Sequence, residues 1–175
     1  MTAPQSKGAT SQGAIATAAR YSFVVSLLWF GFVLSIGFME APLKFSAPGL
    51  TLPVALGIGH IVFHALTRVE TVFAALLLIG LRFGEPTERI RGLFAAAALV
   101  VAAQTLLLFT RLDERTMIII QGGEVEPAPY HWIYIGLDVV KLLLLGTLAW
   151  NQIRALETSA AAGPPDLAGE PNPGL

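Results

Sequence analysis

Apolar residues gather along this chain into four long blocks, separated by short polar or proline-bearing segments. The first, YSFVVSLLWFGFVLSIGFM, runs from Tyr21 to Met39 without a charge over 19 residues, about enough to cross a ~30 Å hydrocarbon layer as a helix. EAPLKFSAPGLTLP then turns the chain, and Pro53 suits the first position of a new helix. From Val54 to Phe83 no proline interrupts the pattern, so a helix of roughly 30 residues and ~45 Å is predicted. That exceeds an apolar layer, so this helix must tilt or project from it. GEPTER closes the second block and opens the third, whose uncharged stretch is Gly92 to Thr110. RLDERTMIIIQGGEVEPAP reads as a charged loop. Tyr130 to Trp150 is the fourth block, interrupted by Asp138 and Lys141.

These blocks predict an all-α, integral membrane four-helix bundle with a long second helix. The expected helices lie at about 20–40, 53–83, 88–111 and 129–153. Residues 1–19 form a polar leader and 154–175 a tail rich in Pro, Gly and Ala, both expected to be disordered. The leader is too long and too polar for a signal peptide, so the first helix is expected to be retained. Four spans place both termini on one side. Lys7, Arg20, Arg82, Arg89, Arg91 and Arg154 fall on that side, against Lys44, Arg111 and Arg115 on the other. The bias predicts both termini in the cytoplasm and a protein of the cytoplasmic (inner) membrane. Gly31 and Ser35 on the first helix, and Ala95–Ala98 with Ala102 and Ala103 on the third, are candidates for close helix packing.

Composition agrees with this picture and narrows the function. Only 13% of the 175 residues are charged and 54% are hydrophobic, with mean hydropathy +0.67, where a soluble domain carries about 25% charge. The net charge of −1 gives no basic field for nucleic acid, and the absence of Cys excludes disulfides and thiolate ligands. No nucleophile elbow, phosphate-binding glycine loop or paired catalytic carboxylate motif occurs, which points away from an enzyme. The partners to expect are the lipid bilayer and a second copy or another membrane protein.

The chemistry lies in the few ionisable residues inside the blocks, because such groups in membrane helices face the bundle interior and pair there. His60, His64 and Arg68 recur every fourth residue on the second helix; His131, Tyr134, Asp138 and Lys141 step by three or four along the fourth. Counted from the outer helix ends, His60, His64, Asp138 and Lys141 share one depth, and Gln104 of the third helix reaches a similar one. Setting HIVFHALTRVE over HWIYIGLDVVK matches His60 with His131 and Phe63 with Tyr134, and sets Glu70 against Lys141. The expected pairs are Glu70–Lys141 and Arg68–Asp138, within a polar core or ion path of His60, His64, Arg68, Glu70, Gln104, Asp138 and Lys141. Trp29, in mid-helix, reads as packing. The sharper alternative takes His60 and His64 as metal ligands, with His131 and a carboxylate, Glu40 or Asp138, completing the set. Nitrogen and oxygen donors suit Zn, Fe, Mn or Cu(II); a b-type haem would need histidines from two helices. The charged residues Arg111, Asp113, Glu114 and Arg115 read as a solvated rim.

LDERT after the third helix and YHWIYIGLDVV opening the fourth carry a family likeness. With Phe45 of EAPLKF, Leu112, Arg115, Thr116 and His131, the chain resembles the small four-helix membrane family that includes transmembrane protein 205 and related bacterial domains of unknown function. The resemblance spans about residues 20–150 and implies an integral membrane protein linked to export or stress tolerance, with no established reaction. The leading expectation is therefore a small non-enzymatic membrane protein of transport or stress-related function. A metal- or haem-binding redox subunit is the alternative, and a ligand-free scaffold or assembly subunit the third.

Overall fold

A computed structural model describes the backbone of residues 6–161 and the side chains of residues 11–161. Four rods fill it. Helix α1 runs in α geometry over Ser6–Val33, widens into π turns over Leu34–Glu40, and ends through an α turn, Ala41–Leu43, and a 3₁₀ turn, Lys44–Ser46. Helix α2 is Leu52–Phe83. Helix α3 spans Glu88–Ile120, with π turns over Gln104–Phe109 between two α portions. Helix α4 is Tyr130–Ala161. Each rod includes a stretch long and apolar enough to cross a membrane, and no strand occurs among the described residues.

Local chemistry sets the boundaries. Thr51 is extended and Pro53 lies in the first turn of α2, where a missing N–H costs no helical bond. That helix stops at Gly84, followed by Glu85 in the left-handed region (φ 47°) and Pro86. Thr87 caps α3, its hydroxyl accepting the Ile90 N–H at 3.4 Å, and Glu88 complements the positive helix end.

Helix α1 packs against α2 and α4, α3 packs along α4, and the end of α3 meets α2. The buried apolar centre draws on all four: Val25, Trp29 and Val33, then Leu77 and Leu81, then Ile90, Ala97 and Val101, then Leu145 and Leu148. Large apolar side chains also cover the outside, among them Leu28, Ile61, Leu99, Leu106 and Leu143.

Several sequence expectations shift here. Helix α1 already begins at Ser6, where a disordered leader was expected; only residues 1–5 of that leader lie outside the described residues. Packing supports the helix ahead of its expected start at about residue 20: the Ala18–Ala19 backbone lies against Gly84 at the end of α2. Helix α4 likewise continues to Ala161, with Arg154 over the Trp150 ring at 4.8 Å, and residues 162–175 of the expected tail lie outside the described residues. Helix α3 runs nine residues past its expected end at 111, taking in the charged stretch assigned to a loop. Close packing of α1 does not use Gly31, which has open space around it, or Ser35, which is exposed. It uses Gly80 of α2, where a Cβ would collide with Ser22 and Tyr21.

Candidate functional site

The polar residues assemble into two groups at different levels of the bundle. The deeper group joins all four helices. Lys141 is fully buried on α4 and its Nζ lies 2.6 Å from Glu70 Oε1 on α2 and 2.9 Å from Asp138 Oδ1 one turn earlier. The same ammonium donates to Gln104 Oε1 on α3 at 2.9 Å. The Gln104 amide donates to Asp138 Oδ1 at 2.9 Å and to the Tyr134 carbonyl at 3.2 Å. Trp29 of α1 donates its indole N–H to Glu70 Oε1 at 3.2 Å. Both amide N–H groups of Gln104 and the indole N–H of Trp29 are used, and Lys141 makes one hydrogen bond and two ion-pair contacts, as burial demands. Glu70, Gln104 and Asp138 are at most 3% exposed.

The Glu70–Lys141 pair expected from the alignment is therefore formed. The Arg68–Asp138 pair is not. Arg68 is exposed on the far side of α2, and Asp138 turns to Lys141 and Gln104 instead. The i, i+4, i+8 stripe drifts around a helix of 3.6 residues per turn, and by its third member it has left the interior. Trp29, read from sequence as packing, is a hydrogen-bond donor to the cluster. An apolar helix with a single indole N–H against a facing acid was the only signal for it.

The second group lies nearer the end of the bundle that carries the α1–α2 and α3–α4 connections. His60 Nδ1 is 2.7 Å and His64 Nε2 3.0 Å from the same oxygen, Asp113 Oδ1. The three donor atoms lie within 4.8 Å of one another. His64 is aligned as a hydrogen bond to Asp113, whereas His60 Nδ1 is close but out of line for one. The two rings stand edge to face with centroids 4.4 Å apart, and Phe109 braces His64 at 4.7 Å. About a third of each side chain is open.

Asp113 is thus the carboxylate partner of the histidines, not Glu40 and not Asp138. Glu40 is held by Lys44, 3.6 Å away, which lies over Gly59 and beside the Phe63 ring. His131 is exposed and packs on Trp132, apart from the His60–His64 pair. The sequence treated Asp113 as rim because α3 was ended too early. At about 100° per residue Gln104 and Asp113 would also face opposite ways, and the π turns between them take back part of that rotation.

Both groups border one cavity of about 580 Å³ between α1, α2, α3 and α4. His60 and Asp113 stand on its wall toward the connecting loops, and Asp138 and Tyr134 on its inner wall. The five positions that carry the family likeness, Phe45, Leu112, Arg115, Thr116 and His131, all line it as well. Arg115 is fixed there by the Glu126 carbonyl and the Tyr130 ring. No protein-family model, curated protein or solved structure matches this chain.

Proposed function

We propose that this chain is a small polytopic protein of the cytoplasmic membrane that takes up a divalent transition-metal ion at the mouth of its cavity, in a transport or stress-related role. The observation that carries the reading is the convergence of His60, His64 and Asp113 from two helices on one point. Two imidazole nitrogens and a carboxylate oxygen are the donor set of Zn, Fe(II), Mn and Cu(II) sites. The 2.7 and 3.0 Å donor separations are close to the edge of a coordination polyhedron, about 2.9–3.4 Å for metal–ligand bonds near 2.1 Å. Open positions would remain on the cavity side for water or an exchanging ligand. An apolar exterior over four long helices supports insertion in a bilayer, and the arginine and lysine bias supports both termini in the cytoplasm. At 18.6 kDa the bundle is small for a transport path, so a second copy or a partner membrane protein would complete it.

The test is elemental analysis and a visible spectrum of detergent-purified protein incubated with zinc and dialysed. About one zinc per chain is expected, lost in His60→Ala/His64→Ala, weakened at least tenfold in Asp113→Asn and unchanged in His131→Ala. No zinc uptake, with the bundle folded, refutes the metal reading and leaves a His–Asp pair within a scaffold. A Soret band lost in His131→Ala refutes it in favour of haem.

A further inference from the structure

The deep cluster has one negative charge too many. It holds two acids, Glu70 and Asp138, and one base, Lys141, with no other ionisable side chain bonded to it among the described residues. Of the four carboxylate oxygens, the N–H groups of Lys141, Gln104 and Trp29 reach only Oε1 of Glu70 and Oδ1 of Asp138. Oε2 of Glu70 and Oδ2 of Asp138 accept no hydrogen bond from a described residue. A buried ion without a partner is far more costly than a neutral acid in the same place. Something positive must balance the surplus.

Geometry decides where and what. Asp138 borders the cavity, and its Oδ2 points across to α1, 3.6 Å from where a Cβ on Gly37 would stand. A Cβ there would only touch that oxygen, whereas a longer side chain would cover it, and Gly37 sits in the π turns of α1. A sodium ion, a hard cation, would need a shell of several oxygens, and the Tyr134 carbonyl nearby is already bonded to Gln104. A proton needs one oxygen. The groups that face Asp138 are Lys141 and Tyr134 on its own helix, Glu70 on α2, Gln104 on α3, and Gly37 on α1.

We infer that Asp138 Oδ2 is a proton-binding site: the Glu70–Asp138–Lys141 cluster stores one exchangeable proton and passes it to and from the cavity. The proton leaves Oδ2 for cavity water and returns from it, while Lys141 and Glu70 stay charged. This is independent of any metal at His60, His64 and Asp113. It gives the cavity a proton-handling function with Gly37 as its opening.

Infrared difference spectroscopy on the full chain in liposomes, at about pH 8 where solvent-facing acids are ionised, counts carboxylic acid groups by their C=O stretch and its shift in D₂O. The expected count is one per chain in the parent, none in Asp138→Asn or Glu70→Gln, where the charges already balance, and two in Lys141→Met. Gly37→Leu should keep the band and slow its hydrogen–deuterium exchange at least tenfold. A parent with no such band, or with the band unchanged in both Asp138→Asn and Glu70→Gln, overturns the inference. So does a band that appears only when sodium chloride is replaced by choline chloride, since sodium would then be the occupant. Equal exchange rates in the parent and Gly37→Leu would overturn the route through the cavity.

Discussion

Replacing Lys141 by Met tests the deep cluster most directly, because the substitution keeps the volume of the side chain and removes the only base. Three contacts at 2.6, 2.9 and 2.9 Å vanish, and two nearly fully buried acids are left without their base. Breaking a buried ion pair from one side costs about 3–5 kcal/mol, a factor of roughly 10²–10³ or more in the folding equilibrium at 1.4 kcal/mol per decade. Glu70→Gln removes as many charges but leaves one acid facing one base. Its loss should be that of a weakened interhelical hydrogen bond, about 0.6–1.7 kcal/mol in a membrane. The asymmetry is the prediction: the base matters several times more than either acid. Reversible unfolding in mixed detergent micelles measures it, followed by helical circular dichroism and by the fluorescence of Trp29, which touches Glu70. Lys141→Met within 1 kcal/mol of the parent, or Glu70→Gln as damaging as Lys141→Met, would refute the reasoning. The triple variant Glu70→Gln/Asp138→Asn/Lys141→Met should recover much of the loss, since no unpaired charge remains.

Other substitutions probe separate links. Gly80→Leu should destabilise the α1–α2 contact by about 1–3 kcal/mol, the usual penalty of overpacking, because its side chain would enter the space held by Ser22 and Tyr21; thermal melting in detergent reads it. Arg68→Ala should change stability by less than about 0.5 kcal/mol, as exposed substitutions do, although its position in the sequence stripe suggested a central role; the same melts check it. Trp29→Phe keeps the ring packing and loses one hydrogen bond to Glu70, about 0.6 kcal/mol, read by thermal melting in detergent against a Trp132→Phe control that leaves the melt unchanged. Zinc affinity should fall on acidification, since protons and metal compete for the same ring nitrogens; isothermal titration across a pH series would show it.

The four apolar blocks were legible because length and lack of charge are properties of a segment, independent of its neighbours. So was the Glu70–Lys141 pair, since the two residues fall ten positions after His60 and His131 when HIVFHALTRVE is set over HWIYIGLDVVK. What failed were inferences that assumed uniform α geometry. Asp113 lies beyond six residues of π helix, and a 100° periodicity cannot report a change of phase that depends on tertiary packing. Arg68 failed for the reverse reason: its stripe was extended one turn too far around a regular helix. The early start of α1 was hidden because residues 6–19 are mostly small and carry no hydrophobic period, and the contact of Ala18 and Ala19 with Gly84 is tertiary packing that propensity does not register.

Because the deep cluster takes one or more residues from each of the four helices, its order of synthesis has a consequence. Glu70 leaves the ribosome 71 residues before Lys141, roughly 4–14 s at 5–20 residues per second. Through that interval Glu70 lacks its partner, so α2 must wait near a water-filled insertion channel or against a chaperone. Arrival of α4 is the event that closes the bundle. A chain truncated before Lys141 should therefore be held by the insertion machinery and degraded, while one truncated after Ala161 should be released and persist.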